Sequence, residues 1–237
     1  MVAGAWIAPL TSRAGPPFLT DDPEPTDTGH WEIYAPLLEA EGRSVNYEGS
    51  AGAEINYGIA DNMQLTVGLP VAFAHDAAGT HWGTGDIAVS LKLRFFHDED
   101  AGLSVAVFPG MTLPTASSGM GNRKVTGLLP MWIQKDAGAW SLFGGGGYAL
   151  NPGDGNRNFW TGGIAVSRHV NDKLLVGVEA DRQGADARDA NGATSLGIGV
   201  IYQFRAPFRL LASCGPTFED GGGSTGFHAF VALGLDF

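Results

Sequence analysis

The sequence predicts an all-β protein: a transmembrane, antiparallel, up-and-down β-barrel of about 12 strands with both termini periplasmic. Three observations carry this. Apolar residues recur at every second position from His30 to the end, which is the periodicity of strands. Many runs exceed the ~5–6 residues of a soluble strand and match or exceed the ~9–11 of a tilted membrane strand. Short and long connections alternate along the chain, as periplasmic turns and external loops do in outer-membrane barrels.

Twelve runs follow from this pattern, at about 30–41, 45–59, 63–75, 84–97, 103–115, 125–135, 139–150, 159–170, 173–183, 193–205, 208–218 and 226–237. In the third, Leu65, Val67, Leu69, Val71 and Phe73 share one face. In the fourth, Ile87, Val89, Leu91, Leu93 and Phe95 do so, with Asp86, Ser90, Lys92 and Arg94 opposite. The tenth puts Leu196, Ile198, Val200, Tyr202 and Phe204 together. The last does the same with Phe227, Ala229, Val231, Leu233, Leu235 and Phe237. Short turns are expected at 60–62, 98–102, 136–138, 171–172 and 206–207. Longer links are expected at 76–83, 116–124, 151–158, 184–192 and 219–225, with 42–44 a short exception on that side.

The composition agrees. Of 237 residues, 36 are glycine and only 16% are charged, while 44% are hydrophobic. Each glycine costs a helix about 1 kcal/mol relative to alanine, and no apolar run approaches the ~18 residues of a spanning helix. The second face of the runs is mostly Gly, Ala, Ser and Thr with scattered charge, too weakly charged for a solvated exterior. An inverted barrel, apolar outside and small or polar inside, explains it. Trp31, Tyr57, Trp82, Trp140, Tyr148, Trp160 and Tyr202 lie near strand ends, where an aromatic girdle belongs.

Strand parity places Glu48, Glu54, Asp86, Lys92, Arg94, Glu179, Asp181, Arg205, Arg209 and Asp236 toward the lumen. Basic groups on the lipid face at the midplane would cost about 2–4 kcal/mol each, and acids less. The inward charges read either as braces across a narrow barrel or as a ladder selecting solutes. Residues 1–14 are read as a residual or clipped signal segment, ending at Ser12-Arg13-Ala14, which resembles a small-residue cleavage site. Residues 15–29 carry Pro16, Pro17, Pro23 and Pro25 among Asp21, Asp22, Glu24 and Asp27. This stretch is either a periplasmic lead-in or a plug, since its acids could meet Lys92, Arg94, Arg205 and Arg209 inside. The barrel proper is residues 30–237.

No catalytic constellation is expected, and no cofactor or metal. None of the six histidines is followed by Ser two residues on, the pair used by outer-membrane phospholipases, and no H-E-x-x-H occurs. The G-x-S-x-G match at Gly222-Gly223-Ser224-Thr225-Gly226 precedes a strand, whereas a nucleophile elbow precedes a helix. Gly144-Gly145-Gly146-Gly147 lacks the helix of a nucleotide site and reads as inner wall or close backbone packing. Asp186, Asp189 and Asn191 lack the spacing of a calcium loop. The single Cys214 forms no intrachain disulfide, and the net charge of −11 argues against nucleic acid.

Several stretches resemble an outer-membrane transporter family known as "MetA-pathway of phenol degradation". They are Ala14 to Pro25 with Gly29-His30-Trp31-Glu32, Asn56 to Leu65, Gly83-Thr84-Gly85-Asp86-Ile87, Leu113-Pro114-Thr115, Leu129 to Lys135, and Gly144 to Tyr148 with Asn151-Pro152-Gly153. The resemblance implies a signal-bearing barrel in the outer membrane of Gram-negative bacteria, passing small, aromatic or apolar solutes; it supplies no catalytic residue. The terminal Phe237, with Leu235 and Leu233 before it, resembles the signal read by the barrel assembly machinery. The expected partners are outer-membrane lipid, lipopolysaccharide, that machinery and a small-molecule solute. The expected function is a passive channel. The alternatives are a non-conducting structural or adhesion barrel with ligand-binding loops and a lipid-modifying barrel enzyme.

Overall fold

In the computed structural model, the described residues are 17–43, 46–222 and 225–237. The signal reading of residues 1–14 and the centre of the G-x-S-x-G match lie outside them. The strands are β1 (Trp31–Arg43), β2 (Asn46–Ala60), β3 (Met63–Asp76), β4 (Gly79–Thr84), β5 (Ile87–Asp98), β6 (Leu103–Val107), β7 (Gly110–Leu113), β8 (Thr126–Ala137), β9 (Trp140–Leu150), β10 (Phe159–Asn171), β11 (Leu174–Gln183), β12 (Ala193–Arg205), β13 (Phe208–Glu219) and β14 (Thr225–Asp236). All join one antiparallel sheet, which β1 and β14 close from Glu32↔Asp236 to Gly42↔Phe227. β4 and β5 pair in succession with β3, and β6 and β7 with β8, so the fourteen segments make twelve spanning strands. No described helix is long and apolar enough to cross a membrane. Closure leaves no open edge in lipid, which is what a spanning sheet requires.

The run expected at 103–115 is broken into β6 and β7. β6 stops at Phe108-Pro109, since Pro109 has no N–H to give the ladder. Its carbonyl instead accepts Leu91 N–H at 2.9 Å, and Phe108 N–H reaches the Pro130 carbonyl at 3.2 Å. The expected link 76–83 is mostly strand: β3 and β4 form a hairpin across Ala77-Ala78. Its polar residues rise past the lipid, so they need no apolar alternation. A register shift between Tyr34 and Leu37 also resets the parity of β1.

The faces are inverted relative to a soluble barrel. Ile133 is 49% exposed and its neighbour Gln134 0%; Val178 is 55% exposed and Glu179 5%. Asn56, Gln64, Thr66, Ser104, Ser141, Ser167 and Ser213 are buried on the inner side with Lys92 and Arg209. In water the outer face would be an aggregation surface; in lipid it is the stable one. The Trp31 and Tyr57 rings meet tilted, with centroids 4.4 Å apart, and those of Tyr148 and Trp160 do so at 5.1 Å, both pairs at strand ends. The turns at the end of the barrel that holds Trp31 and Phe237 are short. Asn62 takes a left-handed φ of 62° in the β2–β3 turn and Gly138 one of 62° in the β8–β9 turn, a conformation these residues tolerate.

Candidate functional site

The lumen is occupied by the protein's own N-terminal segment. Three prolines with interspersed acids give residues 17–27 no strand to join, and they run inside the barrel before Thr28 bridges Gly58 of β2. Phe18 is 8% exposed, and Thr20 and Asp22 are 0%. Phe18 packs with Phe143, Ala165 and Leu175, meeting the Phe143 ring edge-on at 5.8 Å. Room for its ring comes from inner-wall glycines. A Cβ at Gly177 would lie 2.6 Å from Phe18 Cζ, and one at Gly199 would lie 2.6 Å from Phe18 Cε1. Gly144 to Gly147 instead face neighbouring backbone: a Cβ at Gly145 would lie 2.0 Å from the Met131 carbonyl oxygen.

Charge fixes the rest of the segment. The Lys92 ammonium, on β5, lies 3.0 Å from Asp21 and 3.5 Å from Asp22, with the Phe108 ring at 4.9 Å. Arg94 pairs with Glu24 and donates to Asn62 Oδ1 at 2.8 Å. Glu179, on β11, accepts the backbone N–H groups of Leu19 at 3.1 Å and Thr20 at 2.9 Å. The Pro17 carbonyl accepts Ser213 Oγ–H. Near the periplasmic turn, Gln64 Oε1 accepts Thr26 N–H at 2.7 Å, and Thr28 Oγ1 donates to Asp61 at 2.7 Å.

The other inward candidates are divided. Arg209 pairs with Glu32, sits 3.4 Å from Asp236 and donates to Tyr34 Oη at 2.8 Å, so it braces the barrel seam rather than the segment. Glu54 accepts from Asn56 at 3.0 Å. Asp181 is half-buried beside Gly163, and Glu48 is exposed at the outer rim opposite Glu41. Asp86 accepts Ala116 N–H at 2.9 Å and Asn122 N–H at 2.7 Å, which pins an outer loop instead of charging the lumen. Arg205 is exposed at the end of β12, beside a register shift, and does not meet the segment's acids in any recorded ion pair among the described residues. Parity could not bring Glu32, Glu39 and Glu41 together on the inner side, because the β1 register shift puts an even position before it on the same face as the odd positions after it. Phe237 is 61% exposed on the outer face, with Leu233 and Leu235 half-buried. Among the described residues no group of three His, Cys, Asp or Glu could hold a metal.

Three cavities lie in series around the segment. The outer one is about 310 Å³, lined by Phe18, Leu19, Glu39, Glu54, His228 and Phe230 among others. The middle one is about 130 Å³ and shares Phe18, Leu19 and Glu54, with Lys92 at its wall. The periplasmic one is about 270 Å³, between Glu24, Glu32 and Asp236.

Two changes probe the docking. Burying a Phe side chain contributes about 2 kcal/mol, roughly thirtyfold in a docking equilibrium. Gly199→Val fills the space of the Phe18 ring, so a spin label at Leu19→Cys, in a Cys214→Ser background, should become mobile. The second is pH. Burial pushes the Asp22 carboxyl up to about 7, against the pull of the Lys92 ammonium. The docked state therefore binds its proton more tightly than the free segment, whose Asp22 keeps an ordinary value of 3.8. This contribution is fully present at and below pH 3.8 and is lost as pH rises through about 7. Label mobility should rise from pH 5 to pH 8, and Asp22→Asn should flatten that rise.

Comparison with known proteins adds the following. A family described as "Putative MetA-pathway of phenol degradation" matches residues 43–233. A search of curated proteins found no match. Among solved structures, the chain is similar to the COG4313 outer membrane channel from Pseudomonas putida F1, at a TM-score of 0.70 and 14% identity, covering 91% of this chain and 98% of that one. It is similar to the KdgM porin at a TM-score of 0.60 and 9% identity, covering 87% and 99%. It is also similar to the CymD monoaromatic hydrocarbon channel at 0.54 and 8% identity, covering 89% of each chain. The shared fold is that of outer-membrane channels.

Proposed function

Because the chain belongs to the family "Putative MetA-pathway of phenol degradation", we propose that it is a passive outer-membrane channel for small solutes, with residues 17–29 as its plug. The observation that carries this is the row of three cavities along the barrel, with mixed polar and apolar walls, divided by a chain segment rather than by packed wall residues. An eight-stranded barrel is filled by its own side chains, and a sixteen-stranded porin holds an open channel; twelve strands leave a lumen that one extended segment can occupy. Solutes with small apolar or aromatic bodies suit the mix of Phe18, Leu19 and Phe230 with hydrogen-bonding walls. The reading involves no energy source and no catalytic step. Its partners are outer-membrane lipid and lipopolysaccharide around the apolar belt and the assembly machinery at Phe237.

The test is solute flux into liposomes holding the full chain. Neutral sugars of rising size should enter with a cut-off near the smallest. Absence of any flux, with the heat-modifiable gel mobility of a folded barrel retained, would favour the non-conducting barrel instead.

A further inference from the structure

We propose that the outer face of β10 to β13 holds one glycerophospholipid of the periplasmic leaflet, with its acyl chains in an apolar groove and its phosphate on Arg168. The inference rests on the barrel's place in the membrane and not on solute passage.

The groove has a volume of about 740 Å³, inside the range of small-ligand pockets. Two cross-strand rows line it. Val166, Val178, Ile198 and Cys214 stand in register, and so do Arg168, Val176, Val200 and Ala212 one row nearer the periplasm. Small and β-branched side chains keep this part of the apolar belt shallow. The rows beyond it carry longer ones: Ile164 and Leu196 on the outer side, and Leu174, Tyr202 and Leu210 on the periplasmic side.

Arg168 is the independent observation. It is exposed, pairs with Trp140 in the ladder, and its guanidinium lies 5.1 Å from the centroid of that ring. Trp140 opens β9, so both residues stand where tryptophan marks the lipid headgroups. Arg168 is in no ion pair among the described residues. An arginine on the lipid side keeps its head at headgroup depth, and its planar fork of N–H donors matches two phosphate oxygens at once. Lys135, also outward at this end, already donates to the Ala101 carbonyl. Two other occupants fit less well. Lipopolysaccharide lies in the opposite leaflet. A second copy would be related by an axis along the membrane normal, so Arg168 would face its counterpart at the same depth. That brings two cations together without an acid, across two concave faces that cannot fill each other.

Native mass spectrometry on the delipidated full chain in detergent tests this with two lipids of identical acyl chains, phosphatidylglycerol and diacylglycerol. Phosphatidylglycerol should saturate at one adduct per barrel, at a concentration at least tenfold below that needed for diacylglycerol. Arg168→Gln should remove that preference. Ala212→Phe with Cys214→Phe fills the groove and should weaken both lipids severalfold, whereas Val71→Phe, outward on β3, should change neither. Equal binding of the two lipids, a preference that survives Arg168→Gln in a barrel of normal gel mobility, or a dimer that phosphatidylglycerol does not dissociate would overturn the proposal. None of these results bears on solute flux, so the channel reading stands or falls by its own test.

Discussion

A chain lacking residues 17–27 should conduct severalfold more ion current in planar bilayers than the intact protein. The segment separates cavities of about 310, 130 and 270 Å³, so its removal joins them into one water-filled path. The barrel should survive the loss. Its closure is the β1–β14 ladder, and Trp31 and Phe237 exchange backbone hydrogen bonds at 2.7 and 3.0 Å, none of which involves the deleted residues. Lys92 and Arg94 lose their acids but gain water, so the charges left behind are solvated rather than stranded. Thr28 and Gly29, which hold to Gly58, remain in place. Single-channel recording reads the effect. Unchanged conductance would mean that the segment does not limit the pore.

Lys92→Met should release the segment without shortening it. Lys92 is 4% exposed and Asp22 0%, so the variant leaves a buried carboxylate without its cation. Breaking a buried pair from one side costs about 3–5 kcal/mol, which is two to three orders of magnitude in docking. The raised Asp22 value softens this near neutrality, because the carboxyl takes up a proton instead. The effect should therefore grow between pH 6 and pH 8.5. Replacing both buried partners by groups of similar shape is often close to neutral, and Asp21, the other acid at Lys92, is 23% exposed and keeps its water, so Lys92→Met with Asp22→Asn should recover most of the docking. The Leu19 label mobility across this double-mutant cycle measures the coupling. A double variant as loose as Lys92→Met alone would assign the effect to the barrel wall and not to the ion pair.

The barrel was legible because lipid imposes one rule on every strand: alternate residues face it. Ile133 beside Gln134 and Val178 beside Glu179 obey that rule, and the twelve runs follow from it. What alternation cannot show is where the rule is suspended. The register shift at Ala35-Pro36 hid Glu39 and Glu41, and Phe108-Pro109 broke a strand whose flanks alternate correctly. Asp86 has inward parity, yet its carboxylate goes to loop amides, since backbone N–H groups in a turn compete for any nearby acceptor. The segment's acids and prolines were equally compatible with a lead-in or a plug. Lys92 and Arg94 lie about 70 positions from those acids, and only the folded chain brings them together. Arg209, expected to join them, has closer acids in Glu32 and Asp236. The glycines gain a specific use: Gly177 and Gly199 are the hollow for Phe18.

The central claim is that the segment gates the barrel, and a reversible tether tests it most directly. A Cβ at Gly163 would lie 2.2 Å from Thr20 Oγ1, so Thr20→Cys with Gly163→Cys is within reach of a disulfide after a small shift. Cys214→Ser removes the native thiol. Oxidised protein should show suppressed solute flux in liposomes, with flux returning on reduction. Equal flux in the oxidised and reduced states, with the cross-link verified by mass, would contradict the account.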